Sequence, residues 1–177
     1  MGKPQRLVDA LTVLALALLA LSAYLTWVTV DPGNGRLPVH FNGYTITKAP
    51  VTLALASVVA VVVMKLAGTA LRRVLGGLVL VMGAIAVVVA LTVRPSSAEL
   101  SRLRPEISDV LADRVTQSGG PAPWFALGGG IALVAAGLIA ILTAHRWRRA
   151  TQRYERDPAA SPADQWKAID AGEDPTL

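Results

Sequence analysis

The residues of this chain that could do chemistry are few and scattered. Its 177 residues include two histidines, His40 and His145, and no cysteine. The missing thiols exclude a disulfide framework, a thiolate nucleophile and a cysteine-based zinc site. The spacing of the other residues contains no Ser-His-Asp set, metal-ligand cluster or phosphate-binding loop. The sequence therefore predicts a protein that is not an enzyme and that uses no cofactor or metal.

Two charged residues lie within long apolar runs, where ionisable side chains are the first indication of function. Asp9 lies in the first turn of the first run, and Lys65 is near the end of the second. At that depth the ammonium group of Lys65 can reach the lipid headgroups, and the helix dipole stabilises Asp9. We predict that both residues only anchor their helices, or that Asp9 pairs across the bundle with Lys65 or Arg72.

An aromatic set near one end of the apolar runs is the remaining candidate for a binding site. Its members are Trp27, Phe41, Tyr44, Trp124 and Phe125. Such rings can form a cage around a ligand, but Trp and Tyr are also typical of the belt at a membrane interface. Tyr24 and Trp27, at the end of the first run, favour the belt. The sequence leaves both interpretations open.

Four apolar runs must position these side chains. They cover approximately residues 7–28, 50–71, 74–93 and 124–144. About 20 apolar residues cross roughly 30 Å of hydrocarbon as a helix, and lipid forces such a segment to satisfy its own backbone hydrogen bonds. Only 16% of the residues are charged, whereas an average soluble domain has about 25%. The sequence predicts an all-α membrane protein built on a four-transmembrane-helix bundle.

Two alternatives compete with four spans. The first run has the basic front of a signal peptide in Lys3 and Arg6, but Ala20–Ala23 is a poor cleavage site and the run stays apolar beyond it. A soluble helical bundle would need a polar face on each helix, and these runs have almost none.

The distribution of Lys and Arg predicts the orientation of the spans. Basic residues flank the N-terminus, the Arg72–Arg73 link between the second and third spans, and the stretch after the fourth span. In the two longer loops, residues 29–49 and 94–123, basic residues are diluted and offset by acidic ones. We predict a plasma-membrane protein with both termini in the cytoplasm. The net charge of +5 then suits the lipid bilayer, and we expect no nucleic-acid partner.

The first outer loop contains the sequence VHFNGYTI. Asn42-Gly43 lies between alternating residues, and Asn-Gly is the strongest short hairpin signal because both positions accept a positive φ. The sequence predicts a small outer β-hairpin over Pro38–Ile46, which caps the helix ends or forms a lid on a substrate path.

The second outer loop carries apolar residues at helical spacing. They are Leu100, Leu103, Ile107, Val110, Leu111 and Val115. This pattern predicts an outer amphipathic helix over Ser97–Thr116, with Ser97 as its N-cap and a kink at Pro105. We expect it to cover the outer side of the bundle.

Small residues form stripes on the third and fourth spans. They are Gly76 and Gly83 in the third span, and Gly128, Ala132, Ala136 and Ala140 in the fourth. Small-xxx-small stripes let neighbouring backbones approach closely. The sequence predicts tight packing within the bundle, or a contact of the fourth span with a second copy or another membrane protein.

The chain divides into a membrane domain, residues 1–145, and a cytoplasmic tail, residues 146–177. The tail has a basic linker and a predicted short helix in which Trp166 and Ile169 share a face. A helix of this length is unstable alone. We predict that it folds by docking on the bundle or on a cytoplasmic partner; a frayed tail is the alternative.

The closing motif QWKAIDAGEDPT, residues 165–176, resembles the end of the tryptophan-biosynthesis-associated membrane protein family, the tryptophan-operon-region conserved membrane proteins of actinobacteria. WVTV after the first span and NGYTITKAPVTLALA before and within the second are similar to the same family. Ile169 replaces the leucine that is usual in the motif. The resemblance implies a role connected with tryptophan supply and carries no catalytic residues.

Three functions follow as expectations. The first is a non-enzymatic accessory membrane protein of tryptophan biosynthesis or transport, with a tail that contacts a cytoplasmic partner. The second is a small oligomeric amino-acid transporter, since four spans are few for a transporter. The third is a structural subunit of another membrane complex.

Overall fold

Four long helices dominate the computed structural model, which describes residues 3–31, 37–103 and 116–147. In chain order the helices of these residues are α1 (Lys3–Tyr24), α2 (Gly43–Ile46), α3 (Ala49–Leu66), α4 (Thr69–Thr92), α5 (Ser97–Leu103) and α6 (Ala122–Thr143). Helices α1, α3, α4 and α6 are each long and apolar enough to cross a membrane. The predicted four-span architecture is confirmed, although each span begins one to five residues earlier than the apolar runs indicated.

The bundle places small residues inside and large apolar residues outside. Helix α6 packs against α4 and α1, and α3 packs against the same two helices. Ala126, Ala136 and Ala140 of α6 are buried in the main apolar cluster, whereas Ile131 and Leu142 of the same helix are exposed. Lipid tails solvate large apolar side chains as well as a protein core does, so close backbone packing is what holds such helices together.

A small antiparallel sheet covers one end of the bundle. Its strands are β1 (Thr26–Asp31), β2 (Val39–Asn42) and β3 (Thr116–Gly119), in the order β2-β1-β3. The central strand β1 places Val28 opposite both Phe41 and Gly119. We call this end of the bundle the sheet end, and we call the opposite end, where α3 connects to α4, the turn end.

The outer β-hairpin exists, but its predicted range, Pro38–Ile46, is wrong. Strand β2 pairs with β1, and Asn42 has extended backbone angles and caps α2 by accepting a hydrogen bond of 2.9 Å from the Thr45 amide. A Cβ at Gly43 would collide with the Ser22 carbonyl oxygen. Asn42 is therefore an N-cap, and Gly43 provides close packing rather than a positive φ.

The outer amphipathic helix begins where the sequence placed it, at Ser97, but its cap is one residue earlier. Ser96 Oγ accepts a hydrogen bond from the Glu99 amide, and a Glu99 carboxylate oxygen accepts one of 2.8 Å from the Ser96 amide. This is a capping box. Leu100 packs fully buried against Val30 and Phe41, so α5 and the sheet form one cap.

The structure describes only part of the predicted C-terminal half of that helix. Residues 104–115, including the predicted kink at Pro105, lie outside the described residues. Thr116 belongs to strand β3, so the predicted helical end at Thr116 is wrong. The TQSG sequence of β3 has no apolar alternation from which a strand could be predicted.

The connection at the turn end also differs from the prediction. Ala67 and Gly68 separate α3 from α4, while Arg72 and Arg73 lie in the first turns of α4. Gly68 has extended backbone angles and its position has space around it. The two arginines are therefore helical residues. The side chain of Arg72 is buried, whereas that of Arg73 is exposed.

Candidate functional site

A cleft with a volume of about 440 Å³ lies at the sheet end, and we call it the sheet-end cleft. It is lined by the end of α4, the start of α6 and strands β1 and β3. Its volume lies within the range of about 300–1,000 Å³ that is typical of ligand pockets. Its lining includes Trp27, Trp124, Arg94 and Gln117.

Trp27 forms the inner wall of this cleft rather than part of an interfacial belt. It lies in β1 and is almost fully buried in the main apolar cluster. Its indole Nε1–H donates to the Ser22 carbonyl oxygen at 3.0 Å and lies 3.2 Å from Ser22 Oγ. The belt interpretation of Trp27 is wrong because the chain leaves α1 at Tyr24 and turns back over the helix ends.

The structure brings together only part of the predicted aromatic set. Trp124, in the first turn of α6, is 73% exposed and lines the cleft with Trp27. Phe41 instead packs beneath the sheet. Tyr44 faces the ammonium group of Lys48, which lies 5.8 Å from the ring centroid. A cage built from all five aromatic residues is therefore wrong, and Trp124 is the exposed indole that lines the cleft.

Arg94 lines both the sheet-end cleft and a second cleft. Among the described residues that line the sheet-end cleft, Arg94 is the charged one. The second cleft, of about 420 Å³, is also lined by Arg94, together with Glu99 and Arg102. Arg94 is exposed, and its Nη1 donates a long hydrogen bond of 3.4 Å to the Val93 carbonyl oxygen.

Among the described residues that line the second cleft, Glu99 is the acidic one. The hydrogen bond from the Ser96 amide is the main cause that lowers the pKa of its carboxyl below the ordinary 4.5, and the Ser96 hydroxyl and Arg102 act in the same direction. Because the folded pKa is the lower one, the stabilisation of the capping box is present above the ordinary pKa and is lost as pH falls through the folded pKa. Glu99 is therefore ionised at neutral pH.

The two charged residues predicted within the spans meet near the turn end. Lys65 Nζ lies 3.1 Å from a carboxylate oxygen of Asp9, and both side chains are partly exposed. This pair joins α3 to α1 and is one of the two pairings that the sequence left open for Asp9. Exposed pairs contribute about 0.2–1 kcal/mol, so the contact orients two helices more than it stabilises them.

Arg72 makes a buried junction that the sequence did not reveal. Its side chain is 1% exposed. Its Nε donates to the Met64 carbonyl oxygen at 3.2 Å and its Nη1 donates to the Trp147 carbonyl oxygen at 2.8 Å. The guanidinium also lies 5.6 Å from the centroid of the Trp147 ring, and Trp147 Nε1 donates to Thr143 Oγ1. The adjacent arginines gave no signal that one is buried.

The small residues of α4 and α6 interlock in register. A Cβ at Gly83 would lie 2.6 Å from the Val134 amide nitrogen and 2.8 Å from the Gly130 carbonyl oxygen. A Cβ at Gly137 would lie 2.7 Å from the Gly76 carbonyl oxygen. Both helices thus carry glycines seven residues apart that face each other. The sequence prediction named Gly76 and Gly83 and missed their partners, although the same spacing in α6 was a usable signal.

The predicted stripe of the fourth span lies mostly inside the chain. Ala132, Ala136 and Ala140 are buried, and Gly128 is half-buried, with its Cβ position 3.5 Å from Leu18 Cδ1. A second molecule that approached α6 would therefore meet its large apolar residues rather than the alanines. Contact with a second copy stays a prediction. The tail residues Trp166 and Ile169 lie outside the described residues.

Comparison with known proteins adds a family. The family model described as "tryptophan-associated transmembrane protein" matches residues 9–176. No curated protein and no solved structure matches the chain. Because the family model covers nearly the whole sequence, the chain belongs to the tryptophan-associated transmembrane protein family, in agreement with the resemblance of its closing motif.

Proposed function

We propose that this member of the tryptophan-associated transmembrane family is a non-enzymatic accessory protein of tryptophan biosynthesis or transport. It is a multi-pass membrane protein. We place it in the plasma membrane with the turn end facing the cytoplasm, because the Lys and Arg residues concentrate there.

One observation carries the accessory role. Helices α4 and α6 meet backbone to backbone at Gly83 and Gly130, with less space than a methyl group needs. A transport path requires room for substrate and a seam that opens, and this interface offers neither at rest. The cleft at the sheet end opens at the surface of the bundle. Such a site suits a protein that binds a ligand or assists a partner more than one that conducts a substrate across the membrane.

Labelled-tryptophan flux tests this proposal. The purified full-length protein in proteoliposomes should give no flux above empty liposomes, whereas deletion of its gene should change tryptophan uptake or production in cells. Flux carried by the protein alone would replace the accessory role with a transporter. Unchanged tryptophan handling in the deletion strain would contradict the association with tryptophan.

A transporter is the second candidate, because a cleft on a spanning bundle can also be the entrance of a transport path. The cleft combines the exposed Trp124 indole with the cation of Arg94. A four-span transporter would need a second copy, which would pack against the exposed apolar side of the bundle. The proteoliposome measurement separates the two candidates.

The tail is proposed to dock on a cytoplasmic partner through Trp166 and Ile169. Cross-linking and pull-down with the full-length chain should recover a protein that Trp166→Ala loses. Trp124→Ala, which changes a tryptophan at the sheet end, is the matched control and should retain the partner. Identical partners from all three chains would contradict tail docking.

The orientation has a direct test because the natural chain lacks cysteine. Gly68 at the turn end and Gln117 at the sheet end are both exposed, so one cysteine can be introduced at either position. In right-side-out vesicles an impermeant maleimide should label Gln117→Cys, and should label Gly68→Cys only after permeabilisation. Labelling in the opposite order would invert the proposed topology.

A further inference from the structure

We propose that the sheet-end cleft binds a small aromatic carboxylate, the chemical class that includes the aromatic amino acids. Arg94 holds the carboxylate, Trp124 stacks on the ring, and the buried Trp27 closes the floor of the cleft. The inference rests on the proposed connection with tryptophan only for the choice of ring; the geometry of the cleft carries the rest.

The charge of the cleft selects an anion. Arg94 is the charged residue among the described lining, and its one hydrogen bond to a backbone carbonyl is long, at 3.4 Å. A guanidinium has five N–H donors in a fork that matches a carboxylate. A carboxylate ligand therefore offers Arg94 a shorter, charge-assisted bond.

The walls of the cleft select an aromatic ring. Trp124 is 73% exposed, and Leu127, one turn further along α6, also lines the cleft. Trp27 is 1% exposed and its N–H is bonded to Ser22, so this indole closes the floor of the cleft and offers the ligand neither a donor nor a ring face. An offset or edge-to-face contact with the exposed Trp124 indole favours an aromatic ligand by about 0.5–1.5 kcal/mol.

Strand β3 forms the polar wall and leaves space for the ligand. Gly120 donates a hydrogen bond of 2.8 Å from its amide to the Trp27 carbonyl oxygen, which fixes the strand against β1. Gly119 is opposite Val28, which also lines the cleft, and a Cβ at Gly119 would meet no atom within 4 Å. Residues directly opposite in a sheet share a face, so a side chain added at 119 would enter the space beside Val28. Gln117, which is on the same face of β3 as Gly119, supplies an acceptor for an ammonium group.

A phospholipid headgroup is the rival occupant, because Arg94 would also bind a phosphate. The cleft favours the small aromatic molecule, since the exposed Trp124 indole and a polar strand line it, whereas a lipid tail needs a long apolar groove. The binding test therefore includes lipid as one of its outcomes.

Calorimetric binding to the full-length protein in phosphatidylcholine nanodiscs tests the proposal. L-Tryptophan and indole-3-propionate should bind. Tryptamine, which lacks the carboxylate, and L-leucine, which lacks the ring, should bind at least about tenfold more weakly, because a charge-assisted hydrogen bond or a stacked ring is lost. Equal affinity for all four probes, or binding of none, would overturn the proposal.

Three variants locate the site. Arg94→Gln should weaken binding of L-tryptophan about tenfold, and Gly119→Leu should abolish it by filling the cleft. Arg102→Gln is the matched control, since Arg102 is exposed and lines only the second cleft, and it should bind as the natural chain does. Equal effects of the two arginine substitutions would contradict the assignment.

The lipid outcome and the proposed function can be separated. Phosphatidylglycerol that co-purifies with the natural chain but not with Arg94→Gln, without binding of L-tryptophan, would make the cleft a lipid site and overturn the inference. A tryptophan phenotype of the deletion strain would survive that result. Conversely, binding of L-tryptophan with no phenotype would support the cleft and remove the proposed function.

Discussion

Replacing Gly83 with alanine is expected to destabilise the bundle by about 1–3 kcal/mol, the range for inserting atoms into a packed core. The added methyl group would lie 2.6 Å from the Val134 amide nitrogen and 2.8 Å from the Gly130 carbonyl oxygen. Both atoms are backbone of α6, so no side chain can rotate away and the helices must separate. Unfolding in detergent micelles, by heat or by added dodecyl sulfate, measures the loss.

Gly77→Ala is the matched control on the same helix. A Cβ at Gly77 would meet no atom within 4 Å, and alanine is favoured over glycine in a helix by about 1 kcal/mol. This variant should be as stable as the natural chain or slightly more stable. Equal stability of the Gly77 and Gly83 variants would show that α4 and α6 are not in contact at Gly83, and the argument for a closed interface would fail.

Replacing Arg72 with methionine should have the other large effect. The substitution keeps the length of the side chain but removes the donors to the carbonyl oxygens of Met64 and Trp147. The Met64 carbonyl belongs to the last turn of α3, where no further helical amide is available to bond it. A buried acceptor left without a donor costs about 1–3 kcal/mol, and two such acceptors are affected. We expect a marked loss of stability in the same unfolding assay.

The neighbouring arginine provides the control. Arg73 is exposed and has the same charge and nearly the same sequence position, so Arg73→Met should change stability little. Arg72→Lys should recover only part of the loss, because a lysine keeps the charge but lacks the planar fork that reaches two carbonyls. If Arg72→Met and Arg73→Met unfold at the same temperature or dodecyl sulfate concentration, Arg72 does not join α3 to the end of α6.

The two junctions hold different parts of the bundle. The glycine pairs fix the distance between α4 and α6 along their length, whereas Arg72 fixes the turn end, where α6 leads into the tail. The Asp9–Lys65 pair adds orientation of α1 at the same end.

The sequence alone determined the four spanning helices and the family. Runs of about 20 apolar residues have one stable arrangement in lipid, the helix, because lipid offers no partner for backbone groups. The tail motif carried the family resemblance, since its residues are specific in identity and order. The Asn42-Gly43 hairpin was wrong because Asn serves equally well as a helix cap, and the choice depended on β1, which pairs with β2.

Tertiary structure alone decided the cleft and the buried arginine. Arg72 and Arg73 are chemically identical, and the packing of α4 against the carbonyls of Met64 and Trp147 determines which is buried. The sequence position of Trp27 predicts a membrane-interface residue, and only the path of β1 back over the bundle buries it. Strand β3 has no apolar alternation, so only its pairing with β1 identifies it as a strand. Periodicity and composition predict which face of a segment contacts water or lipid. The site depends on contacts between segments far apart in the chain, which local patterns do not encode.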